Sequence, residues 1–415
     1  MAELTFNRLR DAVAGEAVAL RSRTTLQPAG GPGDKIFPPT YAVAQNAEHK
    51  YAVEDRVVGD EVKTTVLLDS VASQANRAEF ALLEGWEAGE LRFPVAYVDF
   101  TVDSELADLG KLSVLEAPHR VVDAVFRDSL LDETLFRLSD VGRAITNATP
   151  RDATALFRYS PSALLFGVWD STGPKGGLGS KFQRAYVSEI VGLDAKIGKK
   201  VGSRIDPLQI EKLAPDQKAF NHSDLDQVWT LSEAEAEKDK KGRPVYATRG
   251  ADTGEAGQPS KINHGNVAPF IDSVSGGVTI TAATQTTVIS LATLRRLRFA
   301  NHDRTTETAA RTAVAALGVA AIAYQHEMDY DLRSRCLLVP EHAPRIELIG
   351  RDGSAPEMVT IDRSGAAEIL RAATEQANEA GIGWESKAIR LVPAPKLIEL
   401  IKRSRQVSAL EQPSA

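Results

Sequence analysis

The chain has 415 residues, 43% of them hydrophobic and 25% charged, and carries a formal net charge of −7. This composition excludes a disordered or fibrous protein and a chain that is basic throughout, so any polyanion partner must be met by a local patch. Cys336 is the only cysteine, which excludes intrachain disulfides and multi-cysteine zinc sites and points to a reducing, cytoplasmic setting.

The opening stretch, MAELTFNRLRDAVAGEAVAL, scatters charges among its apolar residues and predicts no export. TTVLL (64–68) reads as a strand, and DSVASQANRAEFALL (69–83) as a helix that Asp69 or Ser70 can cap, with Val71, Ala75, Ala78 and Leu82 on one apolar stripe. Pro118 stands as the first-turn proline of a helix through RVVDAVF (120–126). A glycine-rich loop, WDSTGPKGGLGSKFQR (169–184), then runs into the alternating, strand-like AYVSEIVGL.

From 216 to 266 the composition turns polar, with SEAEAEKDKKGRP and ADTGEAGQPS, and predicts a mobile insertion. VTITAATQTTVISLATLRRLRF (278–299) predicts one long strand or two. Thr305 or Thr306 can cap a helix to about Glu327, and YDLRSRCLLV (330–339) predicts a strand, completing a β-α-β unit. The most apolar run, TAVAALGVAAIAY (312–324), is too short to span a bilayer and predicts a core helix. Ser364 can cap a last helix to about Ala380, with Glu368 favourable near its start. Helices are too few and too far apart for a doubly wound sheet, whereas the pieces fit the two halves of a split β-α-β, ferredoxin-like fold with large insertions.

The glycine loop fails the known phosphate motifs. Gly179-Ser180-Lys181 is out of order for a P-loop, Pro174 stands where the first glycine belongs, and Gly177 and Gly179 lack the third glycine of a dinucleotide fingerprint. Gly173, Gly176, Gly177 and Gly179 still allow a ligand close to the main chain, although an ordinary glycine-rich turn would have the same composition. Charge favours a ligand: Lys175, Lys181, Arg184, Lys196, Lys199, Lys200 and Arg204 face only Glu189 and Asp194 in this window, and Arg295, Arg296, Arg298 and Arg304 form a second basic cluster. Two such clusters, one beside a glycine loop, suit a phosphate backbone.

Enzyme signatures are scarce. There is no Gly-x-Ser-x-Gly elbow, no His-Glu-x-x-His and no calcium loop, and the seven histidines are dispersed. Asp34, Asp69 and Asp170 are available as bases or metal ligands, yet a helix cap or a turn accounts for each. The aromatic RNA-recognition signature is absent as well, so bound RNA would be held mainly by its backbone.

Six segments carry a resemblance: KIFPPTY (35–41), LLDSVASQANR (67–77), FGVWDSTGPKGGLGSKFQRAYVSEIVG (166–192), GSRIDPL (202–208), KINHGNVAP (261–269) and QTTVISLATLRRLRF (285–299). Together they resemble the RAMP-superfamily backbone subunit of type I-G (formerly I-U) CRISPR Cascade effector complexes. The resemblance implies an α+β, RRM-like (ferredoxin-like) palm within a single domain, 1–415, with a thumb inserted at 209–270 and a C-terminal extension, 346–415, packed on the core. It implies a non-catalytic subunit without metal or cofactor, several copies of which bind along one CRISPR RNA (crRNA) and present its guide bases to target DNA. Its partners would be crRNA, target DNA through the guide, further copies of itself, a large subunit, a repeat-processing or cap subunit and a recruited helicase-nuclease, with no membrane.

Carried onto this chain, the resemblance implies phosphate contacts from Lys175, Lys181, Gln183 and Arg184 and from the amides of Gly176, Gly177 and Gly179. Ser73, Gln74, Asn76 and Arg77 would donate from the first helix, and Lys35, Arg204, His264 and Asn266 would add further contacts. Structural alternatives stand beside these: Arg77 can pair with an acidic neighbour, and Asn266 can close a turn. Two other functions stay open, a metal-dependent endoribonuclease of the same superfamily and a phosphate- or nucleotide-binding enzyme.

Overall fold

Alternation in ALRSRTTLQP buries Leu20, Ser22, Thr24 and Leu26 and turns Arg21, Arg23, Thr25 and Gln27 the other way, which makes a strand with one covered face. The computed structural model of the chain describes residues 2–172, 181–248, 256–299, 303–343 and 345–411. It divides into two compact units, one of Met1–Ile197 and Gly277–Leu397, the other of Gly198–Gly276 and Ile398–Ala415.

The first unit is mixed α and β. Its main elements are α1 (Phe6–Ala14), β1 (Ala17–Pro28), β2 (Val53–Val58), β3 (Glu61–Asp69), α2 (Val71–Glu87), β4 (Tyr186–Leu193) and β5 (Ala282–Ser290). There follow α3 (Arg304–Glu327), β6 (Leu337–Pro340), β7 (Arg345–Gly350), β8 (Glu357–Thr360) and α4 (Arg363–Glu379). Among the described residues these strands build a ten-stranded sheet whose order runs Ala2–Glu3, β8, β7, β1, β5, β4, β3, β2. β6 also pairs with β1, and Tyr330–Asp331 with β6. From β7 to β2 every neighbouring pair is antiparallel, with Leu20 opposite Ile289 and Ser188 opposite Thr287.

The helices cover one face: α2 lies on β4, α3 on β5, and α1 and α4 pack against α3. α3 is buried nearly end to end, as an alanine-rich helix without a polar face requires. Gly318 permits its approach to the sheet, since a Cβ there would stand 2.8 Å from Ile289 Cδ1. A smaller five-stranded sheet runs Lys111–Ser113, Ala96–Asp99, Ile389–Pro393, Ser129–Leu131, Thr134–Leu135.

Several element boundaries differ from the sequence reading. Ser70 does cap α2, through its side chain and Ser73 N, while Asp69 ends β3 and turns inward. Asp303 and Asp362, not the threonines or Ser364, cap α3 and α4, each side chain accepting from the backbone amide three residues on. The stretch 278–299 does not stay extended, because Ser290 caps a helical turn, Leu291–Leu294. Residues 120–126 are no continuous helix: Arg120 takes φ 54° in a 3-10 turn, and Asp123 starts a separate short helix, Ala124–Arg127. The second unit holds an antiparallel ribbon, Lys200–Arg204 against Val267–Asp272, and short paired segments at Phe220–Asn221 and Trp229–Thr230, so the polar insertion carries local structure of its own.

The covered face of the sheet is unexpectedly polar, and Gln74 of α2 organises it. Gln74 is fully buried. Its Nε2 donates to Asp69 Oδ2 at 2.6 Å, and its Oε1 accepts from Gln285 at 2.8 Å and Gln325 at 3.1 Å. Ser188 Oγ stands 2.9 Å from the same oxygen and 2.8 Å from Thr287 Oγ1. Tyr186 donates to Gln325 and Tyr330 to Gln285, both at 2.9 Å, and burial raises the pKa of both phenols. Gln74→Ala would strand these groups in a dry interior, and we expect it to lower unfolding free energy by roughly 2–4 kcal/mol, as read from the urea midpoint.

Candidate nucleic-acid interface

The two ends of the glycine-rich stretch pair as a short hairpin, Val168–Trp169 with Lys181–Phe182. Val168 and Phe182 are buried, whereas Trp169, Lys181, Gln183 and Arg184 are exposed. Lys175, Gly176, Gly177 and Gly179 lie outside the described residues.

Two buried arginine–carboxylate pairs anchor the foot of this hairpin. Arg120 grips Glu79 of α2 through Nε at 2.6 Å and Nη2 at 2.8 Å, and its Nη1 donates to the carbonyl of Gly167 at 3.1 Å. Gly167 has φ 81°, and a Cβ there would stand 2.8 Å from Arg184 N, so only glycine lets the two strands meet. Arg137 Nη2 donates to both oxygens of Asp170, at 3.0 and 2.9 Å, and its Nη1 to Thr172 O at 2.8 Å. Asp170 also accepts from Thr172 N, so the turn explanation of this aspartate fits its geometry.

A second basic group gathers at the start of α2. Asp69, buried, receives Arg77 Nε at 2.9 Å and Arg333 Nη2 at 3.4 Å, and Arg77 Nη2 reaches the carbonyl of Leu332 at 2.7 Å. Arg335 stacks over Phe37 at 4.4 Å, and Phe37 N donates to Arg335 O, which ties the segment containing Lys35 to the same loop. Asn76 and Phe80 stand exposed one turn apart on α2. Ser73 is half-buried and shares the cap with Ser70.

Gln74 is a correction: its amide is spent inside the core and offers nothing to a surface ligand. Arg77 follows its structural alternative in pairing with Asp69, though it keeps a third of its side chain in solvent. The second basic cluster also shrinks. Arg295 donates to the carbonyls of Ala12, Val13 and Ala17, and Arg298 pairs with Glu307 at 3.0 Å; Arg296 instead stands 3.5 Å from Gln183 Oε1, beside the hairpin.

In the second unit Arg204, His264 and Asn266 do come together, around a buried carboxylate rather than an open surface. Asp206 Oδ2 accepts from Gly265 N, Asp206 N donates to Asn266 Oδ1 at 2.7 Å, and Arg204 holds the carbonyls of His264 at 2.7 Å and Gly265 at 3.0 Å. The amides of Gly265 and Leu208, both donating to it, hold the Asp206 carboxyl below its ordinary range. Asn266 therefore closes the loop, as its structural alternative held.

Sequence reasoning missed Arg333, Arg335, Trp169 and the two anchoring arginines. Arg333 and Arg335 stand at i and i+2 in YDLRSRC, a visible signal; Arg120 and Arg137 carry none, because their partners lie 41 and 33 residues away. Cys336 beside Arg333 is buried, which pushes its thiol up to about 11. Among the described residues no group of acidic, histidine or cysteine side chains has the geometry for a metal ion, and no helix is long and apolar enough to cross a membrane.

The fold and these exposed cations define an α+β protein with a candidate polyanion-binding face along α2 and the hairpin. Residues 20–197 match a family model described as CRISPR-associated protein GSU0053 (Cas_GSU0053), a stretch that holds α2, the hairpin and β4. This match supports a CRISPR-associated role. No curated protein matches the chain.

Burial pushes the Glu79 carboxyl up from 4.5 to about 7, against the pull of Arg120. Between those values the folded chain keeps a proton that the unfolded chain has released, so this stabilisation is complete below about pH 4.5 and lost by about pH 7. Unfolding free energy should fall by as much as roughly 3 kcal/mol across that window. Denaturant titrations at several pH values should show this slope in the wild-type chain and its loss in Glu79→Gln.

Proposed function

We propose that this chain is a non-catalytic backbone subunit of a CRISPR type I effector complex, several copies of which hold one crRNA by its phosphates and present the guide bases to target DNA. The observation that carries this reading is the placement of Lys181, Gln183 and Arg184. They are exposed on a hairpin that Arg120 ties to Glu79 of α2 and Arg137 holds at its foot, and they lie within the stretch that matches a CRISPR-associated family.

Sheet order supports the palm. In chain order β1, α2, β4, β5, α3 and β7 form β-α-β-β-α-β, and in space the strands run β7, β1, β5, β4, the arrangement of a split β-α-β sheet. The proposed thumb, 209–270, falls within the second unit. Asp69 and Asp170 each face arginine, a poor setting for a base or metal ligand, so hydrolysis is assigned to a recruited helicase-nuclease. The large subunit and the repeat-processing or cap subunit complete the set of partners.

Phosphate contacts are blind to sequence, and this is what a subunit serving any guide needs. Co-expression with a CRISPR array and its processing subunits, followed by sequencing of the copurified nucleic acid, should return repeat–spacer RNA protected along the spacer; recovery of none with all partners present would reject the reading. The double variant Lys181→Ala/Arg184→Ala should weaken binding equally for all guides and lower the salt slope by about 0.7 per lost contact. Loss confined to one guide sequence would contradict backbone binding.

A further inference from the structure

Trp169 is 59% exposed, a poor place for an indole that serves only the fold. The other three tryptophans, Trp86, Trp229 and Trp384, are half-buried. Hairpin register explains the exposure: Val168 and Phe182 face inward as one cross-strand pair, which turns Trp169 and Lys181 outward as the next. Lys181 Nζ lies 5.5 Å from the centre of the indole.

The neighbourhood selects among the uses of an exposed ring. A protein-docking site presents a contiguous apolar patch, with charge depleted at its centre. Among the described residues of this hairpin and its exit, those turned outward with the ring are Lys181, Gln183 and Arg184, with Arg296 reaching Gln183. An aromatic plane among cations and amides is the combination that holds single-stranded nucleic acid: the plane stacks on a base of any identity, and the cations take the flanking phosphates. The ring also stands on a fixed base, since Asp170, the next residue, is clamped by Arg137, and Gly167 by Arg120.

We propose that Trp169 is a stacking platform for an unpaired nucleobase of a bound single strand, with Lys181 exchanging its contact with the indole for one with the adjoining phosphate. This rests on the RNA-binding reading above and adds to it a residue that touches a base.

The test is fluorescence anisotropy of the full chain with a labelled single-stranded RNA and with a labelled ribose-phosphate strand of equal length lacking bases. Trp169→Ala should weaken RNA binding about five- to a hundredfold, with the salt slope unchanged, and should leave binding of the base-free strand unchanged. Trp169→Phe, which keeps a ring, should recover most of the affinity, and an unchanged melting temperature in both variants should exclude a folding defect. Wild-type affinity in Trp169→Ala would overturn this inference alone, and would mark the ring as a protein-docking residue if that variant failed to enter the assembled complex. Equal losses on both strands, or a lowered salt slope, would also overturn it by assigning Trp169 a structural or electrostatic part. A wild-type chain that binds neither strand and copurifies with no RNA would overturn the RNA-binding reading itself.

Discussion

The buried amide of Gln74 is the constraint around which the first unit is built. A helix laid on a sheet usually meets an apolar face, but here β4 and β5 offer Ser188, Gln285 and Thr287, each of which needs a partner once water is excluded. Gln74 supplies donor and acceptor together and so fixes α2 at one height and rotation on the sheet. Its bond to Asp69 carries that constraint to the surface, because Asp69 in turn orients Arg77 and Arg333. The position of the half-buried basic group around Asp69 is thus set from inside the core.

Arginine plays two roles in this acidic chain. Arg120, Arg137, Arg295 and Arg311 face inward, on carboxylates or carbonyl oxygens, and stitch distant segments together. Arg184, Arg296 and Arg335 are exposed. Net charge counts both kinds alike, so a total of −7 says little about the field over α2 and the hairpin. A pair of the Arg120–Glu79 type adds little net stability against an apolar alternative, but it tolerates only one geometry, which fixes the hairpin at Gly167 to α2.

What the sequence made legible follows from the range of the interactions involved. The stripe of Val71, Ala75, Ala78 and Leu82, the strand before it and the buried run of α3 are local patterns, and each is found where periodicity placed it. The caps lie two or three positions before the hydroxyl residues that the sequence offers, at Asp303 and Asp362, whose carboxylates accept from the amides three residues on. The break at Ser290 was hidden because TVIS and LATL are both apolar, and only the hydroxyl cap separates strand from turn. Gln74 and Asn76 look equivalent in SVASQANR, yet one points at the sheet and the other at solvent, a difference that needs the helix phase and the polar character of the opposing strands. Trp169 carries no local signal, because whether its ring faces core or solvent is decided by pairing with Lys181, twelve residues on.

The isolation of Cys336 gives the molecule a built-in reporter. It lies in the bend before β6, wholly inside the core, with its thiol held protonated by burial. Thiol reagents act on the thiolate, so at neutral pH modification must wait for this bend to open. The rate of single-site labelling therefore counts how often β6 leaves the flank of β1, and it does so without an introduced probe. A ligand that bridges the Arg333–Arg335 bend and α2 would slow that clock, and one that binds elsewhere would leave it running.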